Sequence, residues 1–149
     1  MSGAGENGSR ARSAARRLLA QAIYQRQLGG HAWQELHAQY SADPNFARAD
    51  AAYFREALEA ICAGAEALDR DLAQFSDIEP ARLDPVEHAI LQLGLWELMS
   101  KQDIPYRVVI NEAVELAKRF GATDGHRYVN AVLDKAARAH RAVERGVDA

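Results

Sequence analysis

Apolar residues recur at intervals of three and four along most of the chain, and the clearest such pattern spans residues 103–135. Pro105 favours a helix start there, because a proline in the first turn has no amide hydrogen to lose. Gly121 predicts the end of this helix in a left-handed cap, and Thr123 or Asp124 is expected to cap a second helix. The apolar stripes of the two helices comprise Val109, Ile110, Ala113, Leu116, Ala117 and Phe120, then Val129, Val132, Leu133, Ala136 and Ala137. The stretch therefore predicts two helices, each buried on one face and joined by a short turn.

The segment from Pro85 to Met99 is apolar on nearly every side, which is typical of a helix surrounded by other helices. Asp84 is expected to cap its N-terminus, with Glu87 three residues later as in a capping box. Gly94 predicts one close crossing with a neighbouring helix. We therefore predict that this helix is the central element of a bundle.

The remaining patterns predict shorter helices around this one. Residues 1–9 are rich in Gly and Ser and predict a disordered tail, so the first helix is expected to begin near Arg10. Further helical patterns cover residues 32–40, about 46–68 and 69–75, before a connection broken by Pro80. No segment alternates as a strand would. The predicted fold class is all-α, a compact bundle of about six to seven helices in a single domain over residues 10–145.

The composition contains little that points to an active site. Cys62 is the only cysteine, so neither an intrachain disulfide nor a CxxC metal site can form. No apolar run approaches the ~20 residues of a membrane span, and the N-terminus lacks the apolar core of a secretory signal. A glycine-rich phosphate loop, HExxH and GxSxG are all missing. These features predict a cytoplasmic protein with no membrane contact, no enzymatic activity, no cofactor and no metal site.

The net charge of −3 conceals an uneven distribution. Residues 1–30 hold five arginines against one glutamate, residues 31–99 hold four arginines against thirteen acidic residues, and residues 100–149 hold nine basic against seven acidic residues. Basic ends and an acidic middle suit two partners of opposite charge; the alternative is that the acidic residues only solvate the middle helices. Near the end, helical spacing relates Arg138, Arg141 and Arg145, which are interpreted as a solvated face without a site.

Two groups of residues are candidates for binding single-stranded RNA, and the first lies on the first helix. Arg16, Arg17 and Tyr24 fall close together on one flank of that helix. Guanidinium groups hold phosphates and an aromatic ring stacks on any base, so this flank suits RNA. The alternative is that Tyr24 packs at the margin of the core.

The second group surrounds the turn between the two C-terminal helices. Lys118, Arg119, Arg127, Tyr128 and Asn130 lie near a predicted helix N-terminus, a place that favours phosphate. Two helices joined by a short turn also describe a helix-turn-helix that reads DNA. Against that alternative, the second helix uses its apolar stripe for the core, which leaves few side chains for reading bases.

Four ordered segments are more specific than any single motif: LAQAIYQRQL, YFREAL, RLDPVEHAILQLGLWEL and IPYRVVINEAVELAKRFGATDGHRYVNAVLDKAAR. Together they resemble the NusB family of transcription antitermination factors from Arg12 to Ala137. The resemblance implies an all-helical bundle in two halves without catalytic activity. It also implies binding of the boxA element of single-stranded ribosomal RNA leader transcripts together with NusE, a small-subunit ribosomal protein, and assembly into the RNA polymerase antitermination complex. Some members form dimers, so a homodimer is left open.

The resemblance also assigns RNA contacts by position. Arg17 is expected to take part because Ser13 and Ala14 interrupt the arginine run expected in the family. Glu87 has two interpretations, as a capping-box member or as an acceptor for the amino group of a base. With Lys118 added for its charge at the turn, the predicted RNA-contacting residues are Arg12, Arg16, Arg17, Tyr24, Glu87, Lys118, Phe120, Asp124, Arg127 and Tyr128.

The protein partner and the alternatives depend on charge and on the family. Ribosomal proteins are usually basic, so the acidic stretch from Asp69 to Glu87 is a hypothesis for part of the NusE side, with Asp77 and Glu79 as the predicted contacts. Two other functions remain as alternatives. One is a free-standing helical protein-interaction module, and the other is a free-standing form of the RNA-binding appendage found on ribosomal RNA methyltransferases.

Overall fold

The computed structural model describes the backbone of residues 2–146 and the side chains of residues 8–146. Within that range the chain forms eight α-helices, two short 3-10 helices and no strand, which confirms the predicted all-α class. The α-helices are α1 (Ser2–Gly29), α2 (Trp33–Ser41), α3 (Ala51–Ala63), α4 (Ala65–Leu72), α5 (Pro85–Ser100), α6 (Tyr106–Phe120), α7 (Gly125–His140) and α8 (Ala142–Arg145). The 3-10 helices are Pro44–Arg48 and Pro80–Arg82.

The first helix begins at Ser2, which corrects the expected start near Arg10. Once a helix has nucleated, each further residue adds one hydrogen bond, so the ladder can continue into a segment of poor helix formers. Disorder of residues 1–9 stays a prediction, and Met1 lies outside the described residues. The described part of α1 buries Ala14, Ala15, Leu18, Leu19, Ala22 and Ile23.

The chain divides into two compact units, Met1–Ala63 and Gly64–Ala149. The boundary falls inside the single helix predicted for residues 46–68, and that prediction is wrong. The structure instead has a 3-10 helix, then α3, then α4. The side chain of Asp50 accepts a hydrogen bond from the Tyr53 amide at the start of α3, and Gly64 separates α3 from α4. Glycine is a poor helix former, so it marks a natural break. The single domain over residues 10–145 stays a prediction.

Phe54 of α3 is the aromatic centre of the first unit and is fully buried. The ring of Phe46, from the 3-10 helix, meets it edge-on with ring centres 5.4 Å apart. From α2, Tyr40 and His37 approach the same ring at 6.2 Å and 6.1 Å. One buried ring therefore joins three of the elements of this unit, and α1 packs against the same elements.

The helix α5, which was predicted to be the central element of the whole bundle, is the central element of the second unit. It packs against α4, α6 and α7, and every residue from Ala89 to Leu98 is buried. At its start, Asp84 Oδ1 accepts hydrogen bonds from the amides of Val86 at 2.9 Å and Glu87 at 3.3 Å. The predicted cap and the predicted helix start are therefore confirmed.

The close crossing predicted at Gly94 is present between α5 and α7. A Cβ atom on Gly94 would lie 2.8 Å from Leu133 Cδ1, closer than real carbon contacts. The cap predicted at the end of α6 differs, because Gly121 has φ −91° and ψ −178° and is extended, not left-handed. A Cβ on Gly121 would lie 2.8 Å from the carbonyl oxygen of Ala117. Glycine is therefore needed at this position for its missing side chain and not for a positive φ.

The C-terminal end of α5 is closed by a buried arginine. Arg141 follows α7 and is only 2% exposed. Its Nε donates to the carbonyl of Leu98 at 2.7 Å, and its Nη1 donates to Ile104 at 2.8 Å. Its Nη2 donates to Lys101 at 2.8 Å and to Glu97 at 3.2 Å. One guanidinium thus satisfies four carbonyls at a helix end and in the loop that follows it.

The counter-charge for this arginine comes from α8. Glu144 Oε1 lies 2.5 Å from Arg141 Nη1, and Glu144 Oε2 accepts a hydrogen bond from the Tyr106 amide at 2.9 Å. Arg145 pairs with Asp134 at 3.1 Å. The interpretation of these arginines as a solvated face is therefore wrong for Arg141, since helical spacing does not reveal which residue meets the end of another helix.

Replacing Arg141 by Met should lower the free energy of unfolding by about 3 to 5 kcal/mol, because it removes four hydrogen bonds that a buried, charged donor makes to backbone carbonyls. Urea denaturation followed by circular dichroism measures this. The control is Arg138→Met, whose side chain is 66% exposed and pairs with Asp134 at 3.5 Å; it should change stability by less than about 0.5 kcal/mol. Equal losses in both variants would contradict the role given to Arg141.

Candidate nucleic-acid interface

Four of the predicted RNA-contacting residues lie on α1 in the first unit, and we call Arg12, Arg16, Arg17 and Tyr24 the α1 cluster. The guanidinium carbon of Arg12 lies 4.3 Å from the centre of the Tyr53 ring, and that of Arg16 lies 5.9 Å from it. Arg16 is only 3% exposed, whereas the Arg12 side chain is 33% exposed. Arg12 can therefore reach a ligand in this conformation, and Arg16 is built into the unit.

The other two members of the α1 cluster are partly exposed. Arg17 and Tyr24 are neither buried nor fully open to solvent. The carbonyl of Arg17 accepts a hydrogen bond from Gln21 Nε2 at 3.1 Å, which leaves its guanidinium uninvolved in that contact. Contact between these residues and RNA stays a prediction.

Five predicted residues surround the turn between α6 and α7 in the second unit, and we call Lys118, Phe120, Asp124, Arg127 and Tyr128 the turn cluster. Lys118 and Arg127 are exposed, and Phe120 and Tyr128 are partly exposed. The ammonium of Lys118 lies 3.6 Å from Glu115 on the same helix, a weak surface pair. The structure thus places exposed cations and accessible aromatic rings around one helix N-terminus.

Asp124 stands at the N-cap position of α7, but its side chain accepts no capping hydrogen bond. The prediction that Thr123 or Asp124 caps this helix through a side-chain oxygen is therefore wrong for Asp124. The backbone closes the turn instead, with the Gly125 amide donating to Ala122 at 3.0 Å and the Arg127 amide donating to Asp124 at 3.2 Å. The exposed carboxylate of Asp124 is consequently available to an external donor.

The hydroxyl of Tyr128 is held by Ser76, a residue that no sequence pattern singled out. Ser76 Oγ donates to the Ile78 carbonyl at 2.6 Å and accepts from the Ile78 amide at 3.1 Å. Because the serine hydrogen is used for the carbonyl, the Tyr128 hydroxyl donates to Ser76 Oγ. The phenol is therefore occupied, and only the ring of Tyr128 remains for stacking.

Glu87 lies at the start of α5 and is 8% exposed. A Cβ on Gly125 would lie 2.4 Å from Glu87 Oε1, so the carboxyl packs directly against the first residue of α7. Within the described part of the chain, Glu87 Oε2 is buried without a hydrogen-bond donor, and it does not complete a capping box. Burial is the largest cause that raises the pKa of Glu87 to about 7, and a hydrogen bond with the Asp84 side chain and the negative charge of Asp84 act in the same direction. Its role as a base reader stays a prediction.

The acidic stretch proposed for a protein partner is only partly available. Asp69 Oδ1 lies 2.7 Å from His88 Nε2 and accepts from Gln92 Nε2 at 3.0 Å. Asp71 Oδ2 lies 2.7 Å from His140 Nε2. These two carboxylates hold α4 to α5 and α7, whereas the predicted contacts, Asp77 and Glu79, are both exposed.

Two further features bear on function. Among the residues that the structure describes, no helix has the length and apolar content to span a membrane. In the same residues, no three or more His, Cys, Asp or Glu side chains are grouped so that they could hold a metal ion.

Comparison with known proteins gives consistent matches along the chain. The model of the NusB family matches residues 13–138. The transcription antitermination protein NusB of Pseudomonas putida (strain GB-1) is 50% identical over 133 residues, which are 89% of this chain and 80% of the relative. The protein of the same name from Alcanivorax borkumensis is 48% identical over 134 residues, which are 90% of this chain and 89% of the relative.

Solved structures show the same fold. NusB of T. maritima matches with a TM-score of 0.77 at 25% identity, covering 90% of this chain and 95% of that chain. A crystal structure of the antitermination factors NusB and NusE in complex with dsRNA matches with a TM-score of 0.78 at 24% identity, covering 85% of this chain and 96% of that chain. At that identity the second likeness concerns the fold alone.

The raised pKa of Glu87 makes stability depend on pH. The carboxyl titrates near its ordinary value of 4.5 when unfolded and at about 7 when folded, so the folded state binds the proton more tightly. The stability from the neutral carboxyl is fully present below pH 4.5 and is lost as the pH rises through 7. The free energy of unfolding of Glu87→Gln, taken relative to that of the natural sequence, should therefore rise by about 1 to 3 kcal/mol as the pH is raised from 5 to 8.

Urea denaturation of both proteins at the two pH values measures this difference. The matched control is Glu59→Gln, which changes an exposed glutamate and should show no such trend. A stability difference between Glu87→Gln and the natural sequence that stays constant with pH would refute the assignment of a neutral buried carboxyl.

Proposed function

Since the chain belongs to the NusB family of transcription antitermination proteins, which are not enzymes, we propose that it binds the boxA element of single-stranded ribosomal RNA leader transcripts together with NusE. We propose further that this complex joins RNA polymerase in the antitermination assembly. The observation that carries the proposal is the turn cluster, where an exposed Arg127 and the rings of Phe120 and Tyr128 surround the N-terminus of α7.

The chemistry of the turn cluster suits an unpaired RNA strand. The first amides of a helix and an exposed arginine both attract phosphate, which supplies affinity without sequence preference. Aromatic rings stack on bases only where the bases are not already stacked in a duplex. The ring of Tyr128 is fixed by its hydroxyl bond to Ser76, so it loses little freedom when a base stacks on it.

Carboxylates in the same unit supply a means of reading bases. Asp124 is exposed and does not cap α7, so it can accept a hydrogen bond from an exocyclic amino group. Glu87 lies next to the same turn but is nine-tenths buried, so any contact with RNA would involve the edge of its carboxyl. We therefore assign sequence preference mainly to Asp124 and a supporting role to Glu87.

The α1 cluster is proposed as a second region of RNA contact. Arg12 and Arg17 expose part of their side chains, and Tyr24 exposes part of its ring. Arg16 is buried, so its contribution is to the positive potential of the region and not to a direct phosphate contact in this conformation.

The protein partner is proposed to bind at Asp77 and Glu79. Both are exposed, and the hydrogen bonds of Ser76 with Ile78 hold this part of the connection in one conformation. NusE, as a ribosomal protein, is expected to present basic residues, which an acidic segment attracts. A solved NusB protein of this fold was crystallised with NusE and dsRNA, which makes this pairing the first to test.

RNA binding is tested by fluorescence anisotropy of a labelled boxA RNA over a range of salt concentrations, with and without NusE. Arg127→Ala should weaken binding about five- to tenfold and lower the slope of log affinity against log salt by about 0.7, because one phosphate contact is lost. The control is Arg138→Ala, which removes the same charge from an exposed position of α7 outside the turn cluster.

Equal weakening by the two variants would show that only overall charge matters and would contradict the assigned site. If the natural sequence binds NusE but no RNA, even in the pair, the function reduces to a helical protein-interaction module.

The partner assignment is tested by reversing charge at Asp77 and Glu79 together. Asp77→Lys with Glu79→Lys should weaken NusE binding about tenfold in calorimetry, because attraction to a basic surface becomes repulsion. Glu59→Lys with Glu66→Lys is the control, since it makes the same change in net charge at exposed positions elsewhere. Unchanged NusE affinity in the first variant would place the interface on another surface.

A further inference from the structure

The aromatic ring of Tyr53 has an unusual environment for a core residue. It lies at the start of α3, is only 3% exposed, and has two guanidinium groups from α1 on it. The carbon of the Arg12 guanidinium is 4.3 Å from the ring centre, and that of Arg16 is 5.9 Å away. The shorter distance is typical of a cation stacked on the face of a ring.

The position of this ring relative to Arg12 is set by Asp50. The Asp50 amide donates to the carbonyl of Ala11 at 2.9 Å, which ties the start of α3 to α1. Asp50 Oδ1 accepts a hydrogen bond from the Tyr53 amide at 3.0 Å and so starts α3. Asp50 Oδ2 lies 3.5 Å from Arg12 Nη2. One residue therefore anchors the ring, the helix that carries it and the arginine that stacks on it.

These contacts leave most of the Arg12 guanidinium available. The group has five N–H donors, and the long contact with Asp50 uses one of them. Since both side chains of that pair are about one-third exposed, the pair is weak and a phosphate with charge-assisted bonds can replace it. Stacking on the ring restricts the plane of the guanidinium without using any donor.

We propose that Tyr53 is a positioning residue for RNA, whose ring holds the Arg12 guanidinium ready to bind a backbone phosphate. This inference rests on the proposed RNA-binding function. A flexible arginine loses rotamer freedom when it binds a ligand, and a stacked arginine has already lost much of it. The ring therefore increases RNA affinity through Arg12 without touching the RNA itself.

The test is a double-mutant cycle measured by anisotropy with boxA RNA in the presence of NusE. Tyr53→Leu should weaken RNA binding about three- to tenfold, because the apolar bulk is kept and the ring face is lost. In the Arg12→Ala background the same replacement should change affinity less than about twofold. Tyr53→Phe keeps the ring and should retain the natural affinity. If Tyr53→Leu does not fold, as judged by circular dichroism, Tyr53→Met replaces it in the cycle.

Additive effects of the two replacements would show that Tyr53 acts only on the stability of the unit, and would overturn the inference. So would loss of affinity in Tyr53→Phe, or unchanged affinity in Arg12→Ala. In these cases RNA binding by the natural sequence still supports the proposed function. If the natural sequence binds no RNA, the proposed function fails and this inference fails with it.

Discussion

The apolar surface of α5 has to be kept from water on every side, and the arrangement of the second unit follows from this requirement. α4, α6 and α7 pack around the helix, with a close approach where Leu133 lies over Gly94. Because α6 and α7 both lie against α5, the turn between them is held near the α5 N-terminus, where Glu87 meets Gly125. The position of the turn cluster is therefore a consequence of burying one helix.

The burial of α5 from Ala89 to Leu98 leaves polar groups at its two ends that need partners, and the two ends differ. At the C-terminal end the guanidinium of Arg141 satisfies the carbonyls of Glu97, Leu98 and Lys101, so the end is closed. At the N-terminal end Asp84 caps the amides, but one carboxyl oxygen of the buried Glu87 has no donor among the residues that the structure describes. The C-terminal end contributes stability, whereas the N-terminal end keeps the titratable Glu87 beside the candidate RNA surface.

Each unit contributes a different kind of chemistry to the proposed function. In the first unit, Arg12 is stacked on a buried ring and only partly exposed, which suits a fixed phosphate contact. In the second unit, exposed Arg127 and the rings near it suit a strand with accessible bases. The acidic residues of the second unit have two different environments, because Asp69 and Asp71 are engaged by histidines while Asp77 and Glu79 face solvent. Net charge alone would have indicated none of this.

Sequence patterns were enough to predict the all-α class, the buried α5, the cap at Asp84 and the close crossing at Gly94, because periodicity, capping and missing side chains are local properties. The turn cluster was also predicted, although its contacts with RNA stay untested. Packing between helices distinguishes the buried Arg141 from the exposed Arg138, since both fit one helical spacing but Arg141 meets the end of α5. It also decided which ring holds Arg12, because residues distant in sequence become neighbours only through packing.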